Sequence, residues 1–214
     1  MTRTVILFLS LITICTFILV WLNLKSTGKS SKHETNPVAS TNKAFDATQK
    51  ALTRKASTAK EFIKNNRYNE EFCFLIDMKI RSGSNRFFVY DLNHDSILNA
   101  GTVTHGRCNE RWLSGRKYGN EPGCGCTSLG KYKIGKPYMG RFGLAYKLYG
   151  LDSTNSNAFK RYVVLHAHDC VPNDEVFTEI CQSDGCPTVS PGFLKTLQRL
   201  INSSEKPVLL WIYE

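Results

Sequence analysis

From Glu71 onward the chain is written in short runs of branched and aromatic residues separated by turn formers, a rhythm that favours strands over helices. Phe72–Ile80, Arg86–Leu92 and Ser96–Thr104 read as three strands, with Ser82-Gly83-Ser84-Asn85 as a turn between the first two. His105-Gly106 closes the third, and a strand-end histidine of this kind is expected to be structural. Arg107–Gly125 reads as a long irregular insertion, and loops of that length in compact domains tend to be functional or mobile. Arg141–Leu148 and Lys206–Tyr213 read as further strands. Ser190 is a cap for a short amphipathic helix through Phe193–Ile201. Residues 68–214 are therefore expected to form one mainly β domain with short helices.

Three segments precede it. Val5–Leu24 is a twenty-residue stretch without a charge, long enough to cross a hydrocarbon core as a helix. No Ala-x-Ala site ends it, so residues 1–24 read as an uncleaved signal anchor, with a cleaved signal peptide as the alternative. Arg3 on one flank and Lys25, Lys29 and Lys32 on the other give a weak and contrary orientation signal. Residues 25–43, rich in Ser, Thr, Asn and Lys, read as a basic flexible tether. Residues 44–67 read as an amphipathic helix whose apolar face carries Phe45, Leu52, Ala56, Ala59, Phe62 and Ile63.

The formal charge of +10 divides unevenly. Lys25–Arg67 holds ten basic and three acidic residues, and the chain from Tyr68 holds seventeen and fifteen. The excess therefore sits on the stalk, where it suits anionic lipid, wall polymer or solvent. No nucleic-acid fingerprint, internal repeat or Gly-rich cofactor motif is present, so neither a nucleic-acid partner nor a cofactor is expected. Of the eight cysteines, Cys15 lies in the apolar run, which leaves an odd seven. In an oxidising compartment at least one thiol stays unpaired. Cys186 is the natural candidate, and Cys170–Cys181, which bracket an acidic loop, are the expected bridge. Cys124 and Cys126 are too close for an unstrained mutual bond.

The chemistry concentrates between Leu165 and Pro191. His166 ends a strand, and Cys186 follows twenty positions later in a Gly-Pro turn. This suits an activated thiol, with Cys186 as nucleophile and His166 as base. A free thiol with a pKa of about 8.5 is mostly protonated at neutral pH, and a neighbouring imidazolium can lower it by several units. Gly185 permits positive φ, and the amides of Gly185 and Cys186 are candidate oxyanion donors. Two other readings use the same residues. His166, His168, Cys170, Cys181 and Cys186 are also candidate zinc donors, though without a Cys-x2-Cys knuckle. Alternatively the histidines merely end a strand beside a disulfide.

The pattern of His166 followed by Ser183-Asp184-Gly185-Cys186-Pro187-Thr188-Val189-Ser190-Pro191 resembles the signature of YkuD-type L,D-transpeptidases, which crosslink bacterial peptidoglycan. It is similar to a divergent branch of that family, since Asp184 stands where a His is usual and Thr188 where Asn or Arg often stands. Thr127-Ser128-Leu129-Gly130-Lys131-Tyr132-Lys133-Ile134 resembles a second family segment, with Ser128 for Pro and Tyr132 for Phe. The resemblance, covering about Glu71–Glu214, implies a β-sandwich or mixed-sheet domain outside the cytoplasm, on the periplasmic or cell-envelope side. It implies a thioester between Cys186 and a tetrapeptide stem, passed to a diaminopimelate amine of a second stem. His166, oriented through a carbonyl near Ala167, would serve as base and then acid, with Ser183 and Gly185 shaping the turn. Arg141, Tyr146, His168 and Thr188 are candidate substrate contacts. Water in place of the amine would give an L,D-carboxypeptidase, and attachment of a lipoprotein to the wall is a further use. A sortase-like enzyme, with His105 and Arg199 in its base and arginine roles, and a zinc-stabilised wall-binding module are the rivals.

Arg107–Lys147 carries nine basic and two acidic residues, and Asp169–Asp184 carries five acidic and no basic ones. One expectation is that the first binds stem carboxylates while the second attracts the acceptor amine. The other is that both are simply solvated.

Overall fold

The computed structural model describes residues 37–214, with side chains from Thr48 onward. The anchor expected over 1–24 and most of the tether, as well as the side chain of Phe45, lie outside the described residues. Among the described residues no helix is long and apolar enough to cross a membrane.

Helix α1 spans Pro37–Asn66, beginning seven residues before the start expected from its apolar spacing. The strands are β1 Phe72–Asp77, β2 Phe87–Asp91, β3 Ser96–Gly101, β4 Gly130–Gly140, β5 Gly143–Gly150, β6 Val164–Ala167, β7 Thr188–Val189 and β8 Leu209–Tyr213. Helix α2, Pro191–Ser203, lies between β7 and β8. Ser190 caps it, its hydroxyl accepting the Phe193 amide at 3.2 Å.

All eight strands form one mixed sheet in the order β3-β2-β1-β8-β4-β5-β6-β7. The mixed-sheet form of the expectation is observed, as one continuous sheet. The reason is β8, which runs parallel to β1 and antiparallel to β4 and so joins the two halves edge to edge. Helices supply the covering layers. Alternate residues of β1 point to opposite faces, as strand geometry requires. Phe72, Phe74 and Ile76 enter one core with Phe87, Tyr132, Tyr146 and Phe193, Leu194 and Leu197 of α2. Cys73 and Leu75 enter a second core with Phe88, Tyr90, Leu209 and Leu52, Ala56, Ala59 and Ile63 of α1. β1 is consequently buried along its whole length.

β1 and β3 each stop three residues before their expected ends, and the end of β3 matters for the site. β1 stops at Asp77 because its carboxylate accepts the Lys79 amide at 2.9 Å and turns the chain. β3 stops at Gly101 because Thr102–Gly106 leaves β2 and crosses to β7. Val103 bridges Val189, and the Thr104 amide donates to the Thr188 carbonyl at 2.9 Å. His105 thus sits in a crossing segment rather than at a strand end.

Because Leu52 is fully buried between α1 and the sheet, Leu52→Ala should destabilise the domain by about 2–5 kcal/mol. Urea titration would measure the loss. A change within error would mean that α1 is not integral to this core.

Candidate functional site

β6 places the histidine. Within the sheet His166 lies opposite Ala145 of β5 and Thr188 of β7. Its Nδ1 is 3.0 Å from the Ala167 carbonyl, an acceptor only, so Nδ1 carries the proton and donates it there. The lone pair is therefore on Nε2, which accepts from the Thr188 hydroxyl at 3.1 Å. Burial pushes His166 below the usual histidine range, a drop opposed by the Ala167 hydrogen bond. The ring is neutral at rest.

The thiol sits on a turn built by Ser183. The Ser183 hydroxyl donates to the Cys186 carbonyl at 2.7 Å and accepts the Gly185 amide at 3.1 Å. Gly185 has φ of 107°. A Cβ there would stand 2.5 Å from the Cys126 carbonyl oxygen and 3.1 Å from a guanidinium nitrogen of Arg161, so glycine is required on both counts. Since Ser183 occupies the Gly185 amide, only one of the two expected oxyanion donors, the Cys186 amide, is without a hydrogen bond among the described residues.

Cys186 is half-buried and free. Its sulfur accepts the Val164 amide at 3.5 Å and lies 3.9 Å from the Tyr162 carbonyl. Burial pushes the thiol up, against the pull of the Val164 amide and of Arg161. The expectation of a thiol pKa lowered by an imidazolium is corrected, because the ring is neutral and no hydrogen bond joins it to the sulfur. The resting pair is thiol and imidazole, both lining one groove of about 240 Å³ that Phe142, His168, Arg107, Thr104 and Gln182 also line.

Phe142, Thr104 and Gln182 are groove residues that the sequence does not mark as candidates, and Phe142 is the one in contact with the histidine. It stands at the β4–β5 turn, half exposed, and stacks on the His166 ring at 5.0 Å and 18°. His168 meets it edge-on at 5.8 Å. An aromatic between Gly140 and Gly143, at a hairpin tip, was the available signal. Beyond Phe142 and His168 a second depression of about 520 Å³ is lined by Leu144, Ala167, Asp169 and Lys195.

Of the other candidates, Thr188 is at the groove: it is buried, bonds to His166 and belongs to the groove lining. Tyr146 is fully buried in the core, its hydroxyl 3.3 Å from the Asn202 side chain, so it is not at the groove. Arg141 is exposed and lies over the Phe142 ring at 5.4 Å, outside the groove lining. Arg199 is on α2, turned to Thr196, so the sortase-like pairing with His105 is not assembled. Cys170 and Cys181 are bonded to each other, which removes two of the five candidate zinc donors. Among the described residues no group of three or more metal-ligating side chains converges.

A second disulfide, Cys108–Cys126, was not foreseen, and it ties the insertion to the segment behind Gly185. The charged loops bond to one another as well. Arg107 pairs with Asp184 at 2.8 Å and Arg116 with Glu179 at 3.2 Å. Glu179 also accepts from the amide and hydroxyl of Ser82. Burial pushes the Glu179 carboxyl up, but these hydrogen bonds and Arg116 overcome it and hold the group at about 2.

His105 is buried, with Arg86 donating to Nδ1 at 3.3 Å and the Gln182 amide nitrogen 3.2 Å from Nε2. Burial and the Arg116 and Arg86 cations lower its pKa to about 4.

A family model for the L,D-transpeptidase catalytic domain (YkuD_2) matches residues 43–213. No curated protein matches the chain. Among solved structures, an L,D-transpeptidase from Xylanimonas cellulosilytica is 13% identical, with 66% of this chain and 60% of that one covered and a TM-score of 0.38. One from Mycobacterium smegmatis is 10% identical over 67% and 59%, with a TM-score of 0.40. A helical cell shape determining protein from Campylobacter jejuni is 16% identical over 69% and 49%, with a TM-score of 0.38. The chain thus spans between about half and three fifths of those structures.

The lowered pKa of His105 has a definite pH consequence. Unfolded, the ring takes a proton near pH 6.5, whereas in the fold it resists until about 4. Stability should therefore be complete above about pH 6.5 and fall as pH drops towards 4. Urea midpoints across this range should show the slope, and His105→Gln should flatten it. An equal slope in both proteins would show that other groups govern acid unfolding.

Proposed function

The chain belongs to the L,D-transpeptidase catalytic domain family, and we propose that its groove performs thiol-based acyl transfer on peptidoglycan stem peptides. Cys186 attacks the carbonyl of the L,D amide between diaminopimelate and the terminal D-Ala of a tetrapeptide stem. Nε2 of His166, the ring's only basic nitrogen, takes the thiol proton. The tetrahedral intermediate collapses as the imidazolium returns that proton to the departing D-Ala amine, leaving a thioester on the sulfur. The side-chain amine of a second stem then attacks. His166 removes its proton, and the thiolate leaves and is reprotonated.

The observation that carries this reading is the sharing of one groove by a free thiol and a neutral imidazole of fixed tautomer. The hydrogen bond to Ala167 commits Nδ1, so the ring meets the sulfur's proton with a lone pair. The Cys186 amide, unengaged at rest, is the available donor to the oxyanion. The second depression beyond Phe142 gives an acceptor stem room to approach without displacing the acyl group. Water entering instead would release a tripeptide stem, the carboxypeptidase outcome. The substrate places the domain on the cell-envelope side, anchored through residues 5–24 or secreted.

The test is mass spectrometry of muropeptides incubated with the protein and two variants. Wild type should produce new crosslinks between diaminopimelates together with free D-Ala, and tripeptide stems alone would identify the carboxypeptidase. Cys186→Ala should abolish both activities. His166→Gln should lower kcat/KM by about 10²–10⁴-fold. Activity surviving in Cys186→Ala would end the reading.

A further inference from the structure

We infer that Arg161 is a positioning residue for the nucleophile, a fixed cation clamped by neutral oxygens beside the Gly185 turn that stabilises the Cys186 thiolate. The inference rests on the reading of Cys186 as the attacking group. One guanidinium nitrogen of Arg161 donates to the Gly119 carbonyl at 2.9 Å and to the Ser128 hydroxyl, and the other donates to the Cys126 carbonyl at 2.6 Å. None of these acceptors carries charge, and among the described residues no carboxylate forms an ion pair with Arg161. Asp184, the acidic residue of the turn itself, is taken by Arg107. The cation is therefore held rigidly and left uncompensated. A Cβ on Gly185 would stand 3.1 Å from its terminal nitrogen, which places the charge against the residue preceding the nucleophile.

The next three residues bring further groups to the sulfur. Tyr162 has φ of 58° and is 84% exposed. Its conformation closes a turn, with the Tyr162 amide donating to the Phe159 carbonyl at 3.1 Å and the Val163 amide to the Ala158 carbonyl at 2.9 Å. That turn directs the Tyr162 carbonyl and the Val164 amide to the Cys186 sulfur. Arg161–Val164 thus surrounds the thiol with an acceptor for its proton, a donor to the sulfur and a cation nearby. Burial and the nearby Asp184 carboxylate oppose the anion, and the donor and the cation favour it.

The test is alkylation of the full chain by iodoacetamide across pH, with Cys186 followed by peptide mass spectrometry so that Cys124 does not contribute. Arg161→Gln should move the Cys186 midpoint up by about one pH unit, making alkylation about tenfold slower near neutral pH. The plateau rate at high pH should stay unchanged. Ser128→Ala, which removes one of the clamping oxygens, should move the midpoint in the same direction by less. A merely structural role would alter access to the sulfur, lowering the plateau and leaving the midpoint in place. A midpoint unmoved in the folded variants overturns the inference, and Ser128→Ala decides it if Arg161→Gln does not fold. Failure of the nucleophile reading shows differently, as muropeptide activity retained by Cys186→Ala.

Discussion

The carbonyl of Cys186 is where the site is held together. Three hydroxyls approach it: Ser183 at 2.7 Å, Thr104 at 3.2 Å and Thr188 at 3.4 Å. They come from the turn itself, from the segment crossing out of β3, and from β7. A carbonyl has two lone pairs, and Thr188 has one proton to give. That proton has a shorter path to Nε2 of His166, so Ser183 and Thr104 hold the carbonyl while Thr188 holds the ring. The crossing of Thr102–Gly106 therefore has a purpose in the fold. Extending β3 to its expected end at Thr104 would remove one of the two hydroxyls that fix the backbone of Cys186.

Burial sets the resting charge of the groove. It raises the thiol and lowers the imidazole, so each group moves towards its neutral form. A separated thiolate and imidazolium would lack water to stabilise them, and the protein compensates in part, at the sulfur through Val164 and Arg161 and at the ring through the Ala167 carbonyl. The other strong charges around the groove are paired off. Arg107 with Asp184 and Arg116 with Glu179 neutralise much of what looked, by counting, like opposed basic and acidic loops. An exposed pair such as Arg107–Asp184 adds little stability. Their effect is to leave Arg161 as the cation beside the turn without a carboxylate.

Strand periodicity and turn formers placed most of the sheet, because alternation is a local property of the sequence. The pairing of strands was not legible in the same way. Nothing local to Leu209–Tyr213 says that it will slot between β1 and β4 and merge two halves into one sheet. In the site, His166, Cys186, Ser183 and Gly185 could be named because their residue types and spacing follow from the chemistry. Phe142 reaches the groove over a hairpin tip, and Arg161 reaches the Gly185 turn from the turn before β6, both through tertiary contacts. Tyr146 misled for the opposite reason: an aromatic in a strand beside a cleft faces either the cleft or the core, and here the register with Leu165 sends it inward. Cys108–Cys126 was hidden by the irregular insertion, whose path the spacing of its residues does not constrain.

The tautomer of His166 links these features to the proposed reaction. Nε2 cannot accept the thiol proton while it accepts from Thr188, so the two donors compete for one lone pair. Thr188 has a second acceptor within reach, the Cys186 carbonyl at 3.4 Å. That carbonyl already accepts from Ser183 and Thr104, so a third donor can only share a lone pair there. Thr188 must therefore yield its bond to Nε2 as the sulfur's proton arrives. A valine at this position would free Nε2 permanently. A hydroxyl that can yield keeps the imidazole occupied until a substrate brings the sulfur's proton to it.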